Sequence, residues 1–591
     1  MKAITLVLGC VLVLSGCKSA SPVHDALERH GAESGDDKVL AEFSLRSLPV
    51  ETNDDSLFEA QTPTVIESIQ RLQAIEKREN VKGLFLRLGS FGGGWGRAND
   101  VSAELLRIKA QRHLPVHCHF DTIDNAAYAF AARVCDRITM TPAGDLGLVG
   151  VAGQVFHLKQ LLDSVGIGAD FMHVGRFKSA AEPLTRDSMS EETRESLTAL
   201  LGDVNAALTS SVAAGRRLDE AATRSAIDDG PHDSESALAH RLVDHVAYDD
   251  EARRLAKEAA GATRVERMSW GEAPEKVTLS RLLEAFSGET EEDDHDAAHV
   301  AVAILSDEIS DGESEGDGAG AAGPFVRELR RLADDPLVKS VVLRINSPGG
   351  SALASDRMWH AVRRVAARKP VLVSVGDMAA SGGYYIAAGA QEVHASPASI
   401  VGSIGVVGGK LQLQGLFERA GIHAETIPFG RNAGWQSPTA PFSASEREVL
   451  QRMMQHTYDR FVDRIHIGRE MDEAKILAAA EGRVWSGTRG LELELVDSVD
   501  VAFADVIRRA RERGGVGADV PLEVWPRERN FIERIAETMN SEESAATHAS
   551  EFVLRALHHG FPDLARLLRG ARAWFASEPV RLEMPFAIEL K

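Results

Sequence analysis

Two glycine-flanked serines and one glycine turn have the residue types for acyl transfer. Ser347-Pro348-Gly349-Gly350 follows a β-branched run. Proline fixes one φ angle, and the glycines let backbone N–H groups point outward with no Cβ in the way. Such a turn can donate hydrogen bonds to the negative charge that develops on a carbonyl oxygen. Ala379-Ala380-Ser381-Gly382-Gly383 follows the next apolar run. Ser381 stands just before a helical stretch, Tyr384–Ala388, whose dipole favours an alkoxide-like oxygen, and the Gly382 N–H can serve the same oxyanion. Gly402-Ser403-Ile404-Gly405 places a second serine on a glycine-rich loop, where it can orient a partner of the nucleophile. Each segment also has a plain reading, as a strand-to-helix turn, an N-cap serine or a loop serine. A serine nucleophile needs a base. His394 falls in an expected strand and His360 in a helix with polar neighbours. Neither is tied to these segments, so a Ser-His-Asp triad gains no support. A lysine can act instead if burial brings its pKa from about 10.4 toward neutrality, a shift of about three units worth roughly 4 kcal/mol.

The elements that must position these residues form a pattern of their own. Val300–Leu305, Ser340–Ile345, Pro370–Val375 and Val393–Ala395 read as strands, and Phe325–Leu332 and Ser355–Ala367 as helices. Strands alternating with helices predict an α/β fold with mainly parallel sheets, whose sites form where strand C-termini meet helix N-termini.

The pattern occurs twice. VKGLFLRLGSFGGG at Val81 matches VKSVVLRINSPGGS at Val338, offset by 257. Asp121 matches Asp377 at 256, Thr141-Pro142 matches Ser396-Pro397 at 255, Gly175-Arg176 matches Gly430-Arg431 at 255, and Leu242-Val243-Asp244 matches Leu495-Val496-Asp497 at 253. Five blocks in one order with slowly drifting offset mean a tandem duplication. The copies span 38–265 and 298–515. Residues 287–297 are acidic, lack large apolar side chains and read as a linker. Asp311 to Pro324 is glycine-rich and reads as a loop, and 526–591 has helical patterning without an assigned role.

Together SPGG, MAASGGYYIA and GSIGVVGG resemble the signal peptide peptidase A (protease IV) family of serine–lysine peptidases, in the ClpP/crotonase-like superfamily. The resemblance covers 38–515, in the long duplicated form. In the first copy, Val174-Gly175-Arg176-Phe177-Lys178-Ser179-Ala180-Ala181-Glu182-Pro183 resembles the segment carrying that family's general-base lysine. The resemblance therefore implies Ser381 as nucleophile, Lys178 as base and Ser403 as the residue holding the lysine amine. Gly382, Gly349 and Gly350 would supply the oxyanion hole. It also implies a homotetramer, a preference for apolar peptide residues and cleavage of leftover signal peptides. The duplication supports the same split. Opposite Ser381, Ser403 and Pro348 the first copy has Asn125, Leu148 and Phe91, and opposite Lys178 the second has Ala433. Each half keeps what the other lacks, so one site would be assembled where the copies meet. Lys410, after Gly408-Gly409, is a rival base, whereas Arg176 stays charged and cannot serve. Glu182 could offset the charge of Arg176.

The 591 residues are 44% hydrophobic and 26% charged, which excludes a disordered chain and a polytopic membrane protein. A formal charge of −22 repels phosphate backbones, so nucleic acid is not an expected partner. Residues 1–16 read as a signal peptide with Lys2 and a short apolar run, too short to span a membrane. Leu14-Ser15-Gly16-Cys17 resembles a lipobox, which implies lipidation at Cys17 and a membrane-anchored lipoprotein outside the cytoplasm. A lipobox here takes the place of the family's usual membrane-spanning anchor. In an outer membrane it would leave cut signal peptides out of reach. Cys118 and Cys135 could pair in an oxidising compartment, although spacing alone does not fix their geometry. His117-Cys118-His119 looks like a metal cluster, but alternation along a strand points Cys118 away from both histidines. No metal or cofactor is required by the chemistry. A crotonase-type thioester enzyme and a non-catalytic peptide-binding lipoprotein are the alternatives.

Overall fold

The computed structural model describes residues 37–53, 62–270, 297–313, 320–527 and 580–584. The signal segment with Cys17, the linker apart from Ala297, and most of the tail lie outside these residues. Among the described residues seventeen strands follow in chain order. The first copy has β1 (Val39–Leu45), β2 (Val81–Leu88), β3 (Val116–Asp124), β4 (Arg137–Gly147), β5 (Gly168–Val174), β6 (His245–Val246) and β7 (Arg264–Met268). The second has β8 (His299–Ser306), β9 (Val338–Ser347), β10 (Gly349–Ser351), β11 (Val371–Ala380), β12 (Glu392–His394), β13 (Ile400–Gly402), β14 (Val406–Gln412), β15 (Val484–Ser486) and β16 (Leu522–Trp525). β17 (Val580–Glu583) comes from the tail.

The first copy forms a parallel sheet in the order β6-β4-β3-β2-β1-β7. The second repeats it as β13-β11-β9-β8-β16, with β12 parallel to β11 and β15 antiparallel at the β13 edge. This is the α/β architecture read from the alternating pattern. The expected copy boundaries fall short at their C-terminal ends, because β7 and β16 close equivalent edges beside β1 and β8. LEVW is short and follows a glycine-rich turn, which hides it as a strand. The expected loop also ends sooner, since Ala322–Asp334 is already helix, with Pro324 in its first turn where no intrahelical N–H is needed.

β8 reads HVAVAILS and is buried along its whole length, as a strand covered on both faces must be. Helices Ala322–Asp334 and Ala352–Ala366 pack one face of this sheet. The other face is covered by Phe503–Arg513 of the same copy and by Val65, Ile66 and Ile69 of the first copy's helix Val65–Glu76. Helix Glu191–Arg216 bridges in the same way, with Leu200 and Val204 packed beside Ala380, Ile400 and Val484. By length and composition this helix could cross a membrane, but its buried stripe is taken up by these contacts.

Equivalent ties hold equivalent corners of the two copies. Tyr128 Oη donates to the Leu242 carbonyl at 2.7 Å, and Tyr384 Oη to the Leu495 carbonyl at 2.9 Å. Arg216 pairs with Asp244, and Arg469 with Asp497. Cys118 is disulfide-bonded to Cys135, with Cα atoms 5.9 Å apart, so no thiolate remains there to ligate a metal. Among the described residues, no group of three His, Cys, Asp or Glu side chains could hold a metal ion.

Candidate active site

β5 leaves its own copy and pairs antiparallel with β14 of the other, from Val406 opposite Val174 to Gln412 opposite Gly168. This strand exchange delivers the Gly175–Lys178 turn to the second copy. Gly175, at φ +105°, makes the turn against Glu481, and a Cβ there would stand 2.7 Å from the Glu481 carbonyl carbon. The Phe177 N–H donates to the Glu481 carbonyl at 2.7 Å, and the Arg176 N–H to Glu481 Oε2 at 2.9 Å. Two guanidiniums lie over the Phe177 ring, Arg176 at 4.5 Å and Arg483 at 5.0 Å.

The next side chain is Lys178, which is 1% exposed. Its Nζ donates to Ser381 Oγ at 2.7 Å, to the Ser403 carbonyl at 2.9 Å and to Ser403 Oγ at 3.0 Å. Both serines are fully buried. They also share an unusual backbone, with φ +52° at Ser381 and +55° at Ser403. Non-glycine residues pay for such angles, and the cost is borne at sites where a side chain must be aimed. The Ser381 N–H is fixed on the Gly402 carbonyl and the Ser403 N–H on that of Arg483, both at 2.8 Å. Ser381 stands at the N-cap of Gly382–Ala387 but makes no side-chain cap bond. That separates it from an ordinary capping serine. The helix has six residues, so the lysine contact, more than a macrodipole, dominates the serine's polar surroundings.

Gly349 and Gly382 pack against each other beside Ser381. A Cβ on Gly349 would come 2.7 Å from the Gly382 nitrogen and 3.0 Å from Ser381 Cβ, and one on Gly382 would press Ser355 Oγ. Glycine is needed at both. The Gly349 N–H makes a long bond, 3.2 Å, to Ser347 Oγ. Gly350 belongs to β10, where it lies opposite Leu582 of β17.

The rival groups are engaged elsewhere. Lys410 Nζ donates to the carbonyls of Trp435 and Ser437, both at 2.9 Å, and lies over the Phe442 ring. Burial pushes its ammonium pKa down, but its bonds hold it away from Ser381. His394 Nδ1 meets Ser498 Oγ at 2.9 Å. Glu182 does not face Arg176. It accepts from the Ser190 N–H and the Thr193 hydroxyl, closing the start of helix Glu191–Arg216. In the first copy the position equivalent to Ser381 is filled in. Asn125 Oδ1 accepts the N–H groups of Val149 and Gly150, and Leu148 and Phe91 are buried apolar residues. Ala433 sits on an exposed loop of the second copy.

Residues 108–263 and 363–517 each match peptidase family S49. This chain belongs to that family. The two matches fall in equivalent parts of the two copies, so it has the long, duplicated form. "Serine protease SPPA, chloroplastic" of Arabidopsis thaliana is 28% identical over 75% of this chain and 64% of its own length. "Protease 4" of Salmonella typhi is 29% identical, over 76% and 72%, and "Protease 4" of Haemophilus influenzae 27%, over 75% and 71%. The S49 assignment makes the chain a peptidase by family, with relatives named as proteases and one of them as a serine protease.

Sequence reasoning missed the part of this candidate site that seats the lysine. Gly482, at φ +79°, lies against the Lys178 backbone, and a Cβ there would stand 2.5 Å from Lys178 N and 2.6 Å from its Cβ. A lone glycine after an alanine-rich helix carries no signal of its own. Gly482→Ala is expected to shift the amine off Ser381 and lower peptidase kcat by about 100-fold, since an error of about 1 Å costs that much. Unchanged turnover in a folded variant would refute this seat.

Proposed function

We propose that the chain is a serine endopeptidase in which Ser381 is the nucleophile and Lys178 the general base. One observation carries the reading: an amine from the first copy bonds a buried hydroxyl of the second at 2.7 Å. A neutral amine has two N–H donors and one lone pair. In that form both N–H groups go to the Ser403 carbonyl and Oγ, so the 2.7 Å contact reverses and the Ser381 hydroxyl donates to the lone pair.

In this reading Lys178 takes the Ser381 proton as Oγ attacks a peptide carbonyl. The Gly382 and Gly349 N–H groups receive the oxyanion, and Gly350 shapes the turn. Lys178 then gives its proton to the leaving amine. Water, deprotonated by the same amine, releases the acyl group from Ser381. The substrate class is extended peptides with apolar residues, such as remnants of signal peptides. A fluorophosphonate is expected to label Ser381 in the intact chain and to fail in Lys178→Ala. Absence of labelling in the unaltered chain would instead favour a binding protein or a thioester enzyme.

The site also fits an extracytoplasmic setting, because the Cys118–Cys135 disulfide is stable in oxidising compartments. Lipidation of Cys17 would hold the folded part on a membrane surface. Mass spectrometry of the mature N-terminus should find an acylated Cys17, and Cys17→Ala should move the chain to the soluble fraction. An unmodified N-terminus would end this part of the reading.

A further inference from the structure

β17 is inserted between β10 and β14. It runs antiparallel to both, with Gly350 opposite Leu582 and Val407 opposite Arg581. The Met584 N–H adds a bond to the Pro348 carbonyl at 2.9 Å. β10 is the glycine turn beside Ser381, and β14 follows the loop that carries Ser403. The tail therefore runs through the cleft between the two segments that frame the nucleophile.

Its placement is that of a peptide rather than of a surface patch. Leu582 is fully buried in the second copy's core, and Met584 is 4% exposed beside Ala380, the residue before Ser381. Side chains two apart share one face of a strand, so the segment puts apolar groups at alternate positions into the protein. Arg581, on the opposite face, pairs with Glu308. A Cβ at Gly349 would collide with the Leu582 carbonyl oxygen and lie within 3.0 Å of Ser381 Cβ, which puts that carbonyl in the immediate neighbourhood of the nucleophile.

We propose that residues 580–584 act as a built-in pseudosubstrate. They fill the strand-addition groove between β10 and β14, and external peptides must displace them to reach Ser381. The proposal rests on the peptidase reading above and deepens it. The groove takes an extended strand by backbone pairing, with apolar side chains at alternate positions, and the chain's own Val-Arg-Leu-Glu-Met is one such strand. Recognition through main-chain bonds and alternate pockets is the general logic of β-strand addition. A groove occupied by its own chain presents only its open fraction to a substrate.

The test uses a chain ending at residue 579 and a full-length Leu582→Glu variant. If the tail is seated about nine-tenths of the time, both should label with a fluorophosphonate about tenfold faster than the unaltered chain. Added Val-Arg-Leu-Glu-Met peptide should slow labelling of the truncated chain competitively. In full-length Ser381→Ala, a saturating apolar peptide should raise hydrogen exchange at 580–584. Equal labelling rates with unchanged exchange would show that the strand is a fixed part of the sheet and overturn the proposal. No labelling of any form would instead remove the peptidase reading beneath it, while displacement of the tail by peptide in Ser381→Ala would still support the groove.

Discussion

Lys178→Ala is expected to lower kcat about 10³- to 10⁴-fold, with KM changed only a few-fold. General-base catalysis is worth about 10²–10⁴ in rate, and the two rival bases among the described residues are engaged elsewhere. Lys410 is held on two carbonyls, and His394 on Ser498. The amine touches Ser381, the proposed nucleophile, rather than the strands of the proposed groove, so the loss should fall on the chemical step. Ser403→Ala tests the same geometry more gently. It removes one of two anchors at this residue and keeps the Ser403 carbonyl at 2.9 Å, so the loss should be about 10- to 100-fold. Rates of hydrolysis of an apolar peptide, with a thermal melt to confirm folding, separate the cases. A Lys178→Ala chain that retains a tenth of its activity would mean that another base serves Ser381.

Much of this site was legible because its parts lie in short motifs that the duplication allowed to be compared. Asn125, Leu148 and Phe91 stand where the second copy has Ser381, Ser403 and Pro348, and with Ala433 opposite Lys178 that contrast supported the divided site the family resemblance implied. The polar partners of Asn125 now give the physical reason, since an amide at that position knits a loop together where a hydroxyl would face a cleft. What was not legible depends on contacts far apart in the chain. Nothing in Gly482 marks it as the seat of Lys178, and Val580–Glu583 is too short to stand out as a strand within a tail of helical pattern. Glu182 was read against its neighbour Arg176, but the demand of a helix N-terminus for an acceptor won instead. Arg344 lies inside an apolar strand and gave no hint of its acidic partners, which come from the other copy.

Those partners make Arg344 the second place where one substitution should have a large effect. Its guanidinium is fully buried, 2.8 Å from Glu51 and 2.7 Å from Asp100, and stacks on the Phe503 ring at 4.6 Å. Both carboxylates belong to the first copy, so the cluster pins the two copies together beside the strand that ends at Ser347. Burial pushes the Asp100 carboxyl up to about 6 even though Arg344 and the Phe503 N–H pull it down. Arg344→Met would keep much of the apolar contact and remove the charge, leaving two buried carboxylates facing each other. Breaking a buried pair in this way costs about 3–5 kcal/mol, because the remaining charge is uncompensated. The sign with pH follows from Asp100. Its pKa is higher folded than unfolded, so between about 4 and 6 the folded state binds more protons, and stability from this group rises as pH falls. Without Arg344 the carboxyl loses its principal stabilising cation. Urea midpoints should therefore show a large deficit at pH 8 that narrows toward pH 5, and adding Asp100→Asn should recover part of it at pH 8. A deficit below about 1 kcal/mol, or one independent of pH, would mean that the apolar contacts of Val65, Ile66 and Ile69 hold the copies together without help from the charge cluster.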